Sequence, residues 1–181
     1  SASERRIQRQ LYLIWRGEII RRIALQLNRL YAAYNRPSGS HWTVVQAIAK
    51  TEKVAVPLWR QLRNVFALLS GFDESQLTSA TDLQASIGNL FSNEALSAVR
   101  KCILDIPKQM VKPCVAIEPI ETPNSSLENT EHIANRVIAS LLEVYIDEFM
   151  PADDQPIRVR VAIPWHRYNC QGLSLPHRLQ S

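Results

Sequence analysis

The sequence predicts a mainly helical α+β domain: a multi-helix bundle with a long N-terminal helix and a small two- or three-stranded sheet near the C-terminus. Three observations carry this. Apolar residues recur at three- and four-residue spacing over most of the chain, the period of an amphipathic helix. Alternation with period two is confined to one late segment, where Ile157, Val159, Val161 and Ile163 interleave with Arg158, Arg160 and Ala162. Five glycines in 181 residues are too few for the many turns of a small β-sandwich.

Taken in order, Ser3 is placed to cap the first helix, with Glu4 in its first turn. Only Gly17 interrupts helix-forming residues before Tyr34, at a cost of about 1 kcal/mol against alanine. Beyond Gly17, Ile20, Ile23, Leu27, Leu30 and Tyr34 form a clean stripe; Ile7, Leu11 and Ile14 form an offset one before it. This describes one helix of roughly 45 Å, with Gly17 as the place for a bend. Pro37 and Gly39 end it. A short helix then runs from Ser40 or Thr43 to Lys50, followed by a tight connection over 51–55. Pro57 suits the first turn of the next helix, whose apolar face is Leu58, Leu62, Val65, Phe66 and Leu69 before Gly71 stops it.

After a polar stretch at 72–81, two shorter helices are expected over 82–90 and 94–104, the second capped by Ser92. Pro107, Pro113, Pro119 and Pro123 exclude a helix across the next segment, and Cys114 to Ile117 reads as a short strand between them. Thr130 opens a strong helix with Ile133, Val137, Ile138, Leu141, Leu142, Tyr145 and Phe149 inward, and Pro151 closes it. The alternating segment at 157–163 is a half-buried strand. Its backbone needs a partner, and Val115 to Glu118 supplies the obvious one. The whole is one domain over 1–181: a basic helical half at 1–71, a mixed acidic half with the sheet at 72–163, and an irregular tail at 164–181.

Hydrophobic residues at 46% and charged residues at 21% fit a globular protein. The longest charge-free apolar run, near 65–72, is too short to span a bilayer, so no membrane partner is expected. The N-terminus mixes arginines with apolar residues, unlike a secretory leader. Cys102, Cys114 and Cys170 are odd in number and far apart, which indicates neither a disulfide framework nor a zinc site. Each is read as a small buried apolar residue in a reducing, cytoplasmic setting.

The net charge of +4 is unevenly placed. Residues 1–71 hold twelve Lys/Arg against three Asp/Glu, and residues 118–154 hold nine acids against Arg136 alone. The first helix carries Arg5, Arg6, Arg9, Arg16, Arg21, Arg22 and Arg29. These arginines suit an electrostatic footprint for nucleic acid. They equally suit pairing with the acidic block around Glu143, Asp147 and Glu148, inside the molecule or across a dimer. Plain solvated helix surface is the third reading.

Residues 45–62 can be laid on a helix-turn-helix. Ile48 and Ala49 suit the first helix, Val54 the residue after the turn, and Trp59 and Leu62 the buried face of the second. Against it, Lys53 stands where glycine is common and Glu52 where an apolar residue is usual. The second helix would turn Arg60 and Arg63 outward, toward bases or phosphates. The competing explanation is ordinary αα packing.

Other groupings are less pointed. Trp165, His166, Arg167, Tyr168 and Cys170 could stack a base or clamp a peptide, or Trp165 and Tyr168 could plug the core as the strand exits. Glu143 and Asp147 share a helical face and read as solvated. Trp15, Trp42 and Trp59 read as core or interface anchors. The histidines lack metal spacing, and there is no phosphate loop, nucleophile elbow or paired-carboxylate arrangement.

The expectation is therefore a non-catalytic binding or regulatory domain without metal or cofactor, in the class of DNA-binding transcription regulators. Its nucleic-acid contacts would come from Arg5, Arg9, Lys50, Lys53, Arg60 and Arg63. The alternative is a protein–protein interaction or scaffold domain. The first helix has apolar residues on more than one side, so Leu13 and Trp15, with Trp165 and Tyr168, are expected to meet a protein partner or a second copy in a dimer.

Overall fold

The computed structural model describes residues 2–33, 39–50, 92–117 and 128–162. Four α-helices and a two-stranded sheet lie within them: α1 (Ala2–Ala32), α2 (Ser40–Lys50), α3 (Asn93–Leu104), β1 (Cys114–Ile117), α4 (Glu128–Val144) and β2 (Arg158–Val161). Residues Tyr145–Phe149 continue α4 as a π-helical turn. The mainly helical class, the long first helix and the small sheet toward the C-terminus agree with the sequence. The second half of the helix-turn-helix, the helix expected at 82–90 and the tail lie outside the described residues.

The first helix is the spine. It runs unbroken through Gly17, and its wide buried band takes Leu11, Ile20, Ile23 and Leu27 from the expected stripes and adds Trp15, Ile19, Ala24 and Tyr31, while Ile14 and Leu30 are half-buried. Such a band cannot be covered by one neighbour. Helices α2, α3 and α4 and strand β1 all pack on α1. At its C-terminal end, Tyr31 meets Trp42 of α2 edge-on, with ring centroids 5.1 Å apart, and donates its hydroxyl to the Cys102 carbonyl of α3 at 3.3 Å. His41 Nε2 and Asp105 Oδ2, 3.0 Å apart, tie α2 to the end of α3.

The cap at the start of α3 is the expected one: Ser92 Oγ accepts from the Ala95 amide at 3.0 Å. Strands β1 and β2 pair in parallel, with Cys114 opposite Arg158 and Ile117 opposite Val161. Parallel neighbours need a long crossover, and α4 lies within it. Val115, Ile117, Ile157 and Val159 turn into the core, while Arg158 and Arg160 turn outward.

Side chains of α1 close the other edge of β1. Gln26 donates from Nε2 to the Cys114 carbonyl at 2.9 Å and accepts the Cys114 amide on Oε1 at 3.2 Å. Arg22 Nη1 donates to the Ala116 carbonyl at 3.2 Å. One glutamine amide thus takes the place of a third strand's backbone at that position. Cys114, read as buried from the sequence, is exposed at this edge; Cys102 is buried as expected.

Candidate functional site

The first half of α1 forms a cleft with α4. Arg5, Gln8, Arg9, Tyr12, Leu13 and Arg16 follow one another at helical spacing along one side of α1, and Glu143 of α4 faces them. The cleft has a volume of about 380 Å3. Arg5 and Arg9 are exposed at its rim, Tyr12 and Leu13 are half-buried along its wall, and Arg16 is only 6% exposed.

Behind the cleft, α1 is fastened to α4 and the π-helical turn. Trp15 is 1% exposed, and its indole Nε1 donates to the Val137 carbonyl at 3.0 Å. Gln8 Nε2 donates to Glu143 Oε2 at 3.2 Å, and Tyr12 donates its hydroxyl to Glu148 Oε1 at 3.4 Å. Arg16 Nη2 donates to Asn93 Oδ1 at the start of α3, and Arg16 Nη1 lies 4.0 Å from Glu148 Oε1.

Glu148 is the hub. Its carboxylate lies 3.8 Å from Arg100, and its backbone carbonyl accepts from Arg100 at 2.9 Å and from Gln155 at 2.6 Å. The last carbonyls of a helix lack partners within it, and a cation there also meets the negative end of the helix dipole. Burial, then the Glu148 and Asp147 carboxylates, push the Tyr12 hydroxyl well above its ordinary pKa. It therefore remains a proton donor throughout the neutral range.

The arginines of α1 divide by task. Arg16 serves the acidic block. Arg21 grips Glu18 with both Nε (2.9 Å) and Nη2 (2.6 Å), and Arg22 Nε adds a third bond to Glu18 at 2.9 Å. Glu18 is only 6% exposed, and a buried carboxylate needs such partners. Arg5, Arg9 and Arg29 are exposed. Among the described residues, Arg16 Nε has no hydrogen-bond partner although it is buried.

Of the residues expected to contact nucleic acid, Arg5 and Arg9 meet at the cleft, and Lys50 is exposed at the far end of α2. Lys53, Arg60 and Arg63 lie outside the described residues, as do Trp165 and Tyr168. Leu13 lines the cleft. Trp15 corrects the sequence expectation: it is a core residue anchored on α4, with no surface to offer a partner. Of the pair read as solvated face, Glu143 is half-buried and hydrogen-bonded while Asp147 is exposed, and Glu148 of the acidic block pairs with Arg16 inside the molecule. No three of His, Cys, Asp or Glu gather in a metal-holding group among the described residues. No described helix is long and apolar enough to cross a membrane.

The sequence matches no protein-family model, and neither curated proteins nor solved structures show a significant match to it. The site is therefore read from its own chemistry. Sequence reasoning missed Gln8, Asn93 and Arg100, and named Glu148 only as part of an acidic block. The detectable signal was the four-residue spacing of Gln8, Tyr12 and Arg16, three polar side chains on the face of α1 that meets α4.

Proposed function

We propose that this chain is a non-catalytic interaction domain that recognises an acidic protein partner through the N-terminal half of α1. The observation that carries the reading is the cleft with Arg5 and Arg9 at its rim, Tyr12 and Leu13 on its wall and Arg16 behind them. Two exposed guanidinium groups, Arg5 and Arg9, against the single carboxylate of Glu143 make it a complement for acids, with Arg16, already shared with Glu148, behind them. The half-buried Tyr12 and Leu13 add apolar area that a polypeptide side chain can cover. Arginine also suits planar carboxylates geometrically.

The basic footprint open to nucleic acid is smaller than the sequence suggests, because Arg16, Arg21 and Arg22 are engaged within the chain. Nucleic-acid binding is the second reading, favoured by the exposure of Arg5, Arg9 and Lys50.

The test is titration of the whole chain at low salt with three probes. They are a blocked peptide of sequence Glu-Ser-Glu-Ser-Leu-Ser-Glu, which sets its glutamates and leucine on one face when extended, its glutamine counterpart, and a DNA duplex. Binding of the glutamate peptide alone supports the proposal. Failure of that peptide to bind refutes it. Duplex binding whose salt slope falls by about 1 in Arg5→Ala, Arg9→Ala or Lys50→Ala transfers the assignment to nucleic acid.

A further inference from the structure

We infer that the cleft is a carboxylate site for an extended acidic segment, with Arg16 as its buried anchor and Glu143 as an internal competitor; this rests on the acidic-partner reading above. Three observations converge. The first is the orphaned donor. Arg16 is more than nine-tenths buried and lines the cleft, yet its Nε–H has no partner among the described residues. A buried donor left without a partner forfeits its hydration with nothing in return, so native proteins seldom keep one unless something else serves it. Gln10, Trp42 and Ser140 also hold unpartnered buried polar atoms, but Arg16 is the one among these that lines the cleft.

The second observation is spacing. Arg5 and Arg9 stand four residues apart on α1, roughly 6 Å along the helix axis. Alternate side chains of an extended peptide project on one side at roughly 6.5–7 Å. Two acids separated by one residue therefore meet Arg5 and Arg9 in turn. A peptide continuing along α1 next passes Tyr12 and Leu13, where an apolar side chain fits, and then Arg16.

The third observation is Glu143. Its carboxylate faces these arginines across the cleft, held by one 3.2 Å hydrogen bond from Gln8. It partly neutralises the site and repels an incoming acid. An entering carboxylate must pass it, and then share Arg16 with Glu148, which tunes the site toward segments carrying more than one acid.

The experiment combines calorimetric titration with NMR of the arginine Nε–H groups on the full chain. The probes are the blocked glutamate–leucine peptide, acetate and inorganic phosphate. The expected result is peptide binding that shifts one buried Nε–H resonance, the one missing from Arg16→Lys. Glu143→Gln tightens binding roughly two- to five-fold, and Arg5→Ala and Arg9→Ala each weaken it by a similar factor.

If the peptide binds but Glu143→Gln leaves affinity unchanged and no buried Nε–H moves, this inference is overturned while the acidic-partner reading stands. If acetate or phosphate moves the Arg16 Nε–H and the peptide does not bind, Arg16 takes small anions only, and both the extended-segment inference and the protein-partner reading fall. Silence from every probe refutes both. Should Arg16→Lys fail to fold, Glu143→Gln and Arg9→Ala carry the test, since both change partly or fully exposed side chains.

Discussion

Gln26 is expected to hold the edge of the sheet, and replacing it with leucine measures how much. Its side-chain amide makes two hydrogen bonds to Cys114, one through each end, at 2.9 and 3.2 Å. A protein hydrogen bond contributes about 0.5–1.5 kcal/mol net. Cys114 is exposed, so water can replace both partners, and the loss belongs at the lower end of that range. For Gln26→Leu the expected destabilisation is about 1 kcal/mol, or about 2–4 °C in melting temperature for a chain of this size. Gln26→Glu keeps the acceptor for the Cys114 amide but sets a carboxylate against the Cys114 carbonyl, so its loss should be at least as large. Hydrogen exchange gives the local reading. The Cys114 amide should lose about five-fold in protection, while the amides within α1 keep theirs. The freed edge also becomes a template for another chain, so concentration-dependent association should rise. Asn28→Leu, on an exposed position of the same helix, is the control for an added leucine. If Gln26→Leu melts like the wild type and Cys114 exchanges unchanged, the amide does not act as a surrogate strand.

Three further outcomes are expected. Glu148→Ala removes the carboxylate shared by Arg16, Arg100 and Tyr12. Its partial exposure discounts the about 3–5 kcal/mol typical of a broken buried pair to about 1–3; urea denaturation measures it, and a change under about 0.5 kcal/mol would contradict the hub. Cys102 has its thiol pushed up to about 12 by burial and, secondarily, by Asp105. In native protein at pH 8 it should therefore resist alkylation while Cys114 reacts, and peptide mapping showing equal labelling would refute this. Because its ordinary pKa is 9.0, this thiol's contribution to stability is intact below pH 9 and is lost as pH rises toward 12. Ser92→Ala should cost about 1 kcal/mol by removing the cap of α3, with Ser92→Asn recovering most of it; indistinguishable melts for all three proteins would rule the cap out.

Periodicity made most of the fold legible. The four described helices begin and end close to where caps, prolines and apolar spacing place them, because those signals are local. The strand pair was legible too, since a lone period-two segment requires a partner. The parallel orientation and the closure of β1 by Gln26 and Arg22 were not. Both depend on α1 lying beside a strand nearly ninety positions away, and no local pattern in the 22–26 segment marks it. The π-helical turn at Tyr145–Phe149 was equally hidden, because its widened turn is a response to packing and not to a residue type. Among candidate site residues, charge and spacing pointed to Arg5 and Arg9. Of the two readings of Trp15, core anchor and partner contact, the first holds; the partner contact was expected because Tyr12, Leu13, Ile14 and Trp15 run consecutively around α1 and no single neighbour covers all four. The chain covers Trp15 by packing neighbours on several sides of α1.

That wrapping also explains how the arginines are apportioned. Toward its middle, α1 is enclosed, and a guanidinium there persists only with carboxylates or carbonyls to receive it. Arg16, Arg21 and Arg22 have Glu148, Glu18 and the edge of β1. Toward its N-terminus, α1 is covered on one side by α4 and open on the other, so Arg5 and Arg9 keep their hydration and their charge for a partner. The basic character of the first helix thus has two origins. One part neutralises acids that the fold itself buries, and the other remains at the cleft. Arg16 joins them: two of its nitrogens are directed to the structural network, and the third is left without a partner beside the cleft. An incoming carboxylate that reaches Arg16 would also compete with Glu148 for the same guanidinium, so occupancy of the cleft should be felt at Arg100 and Gln155, which hold the π-helical turn through the Glu148 carbonyl.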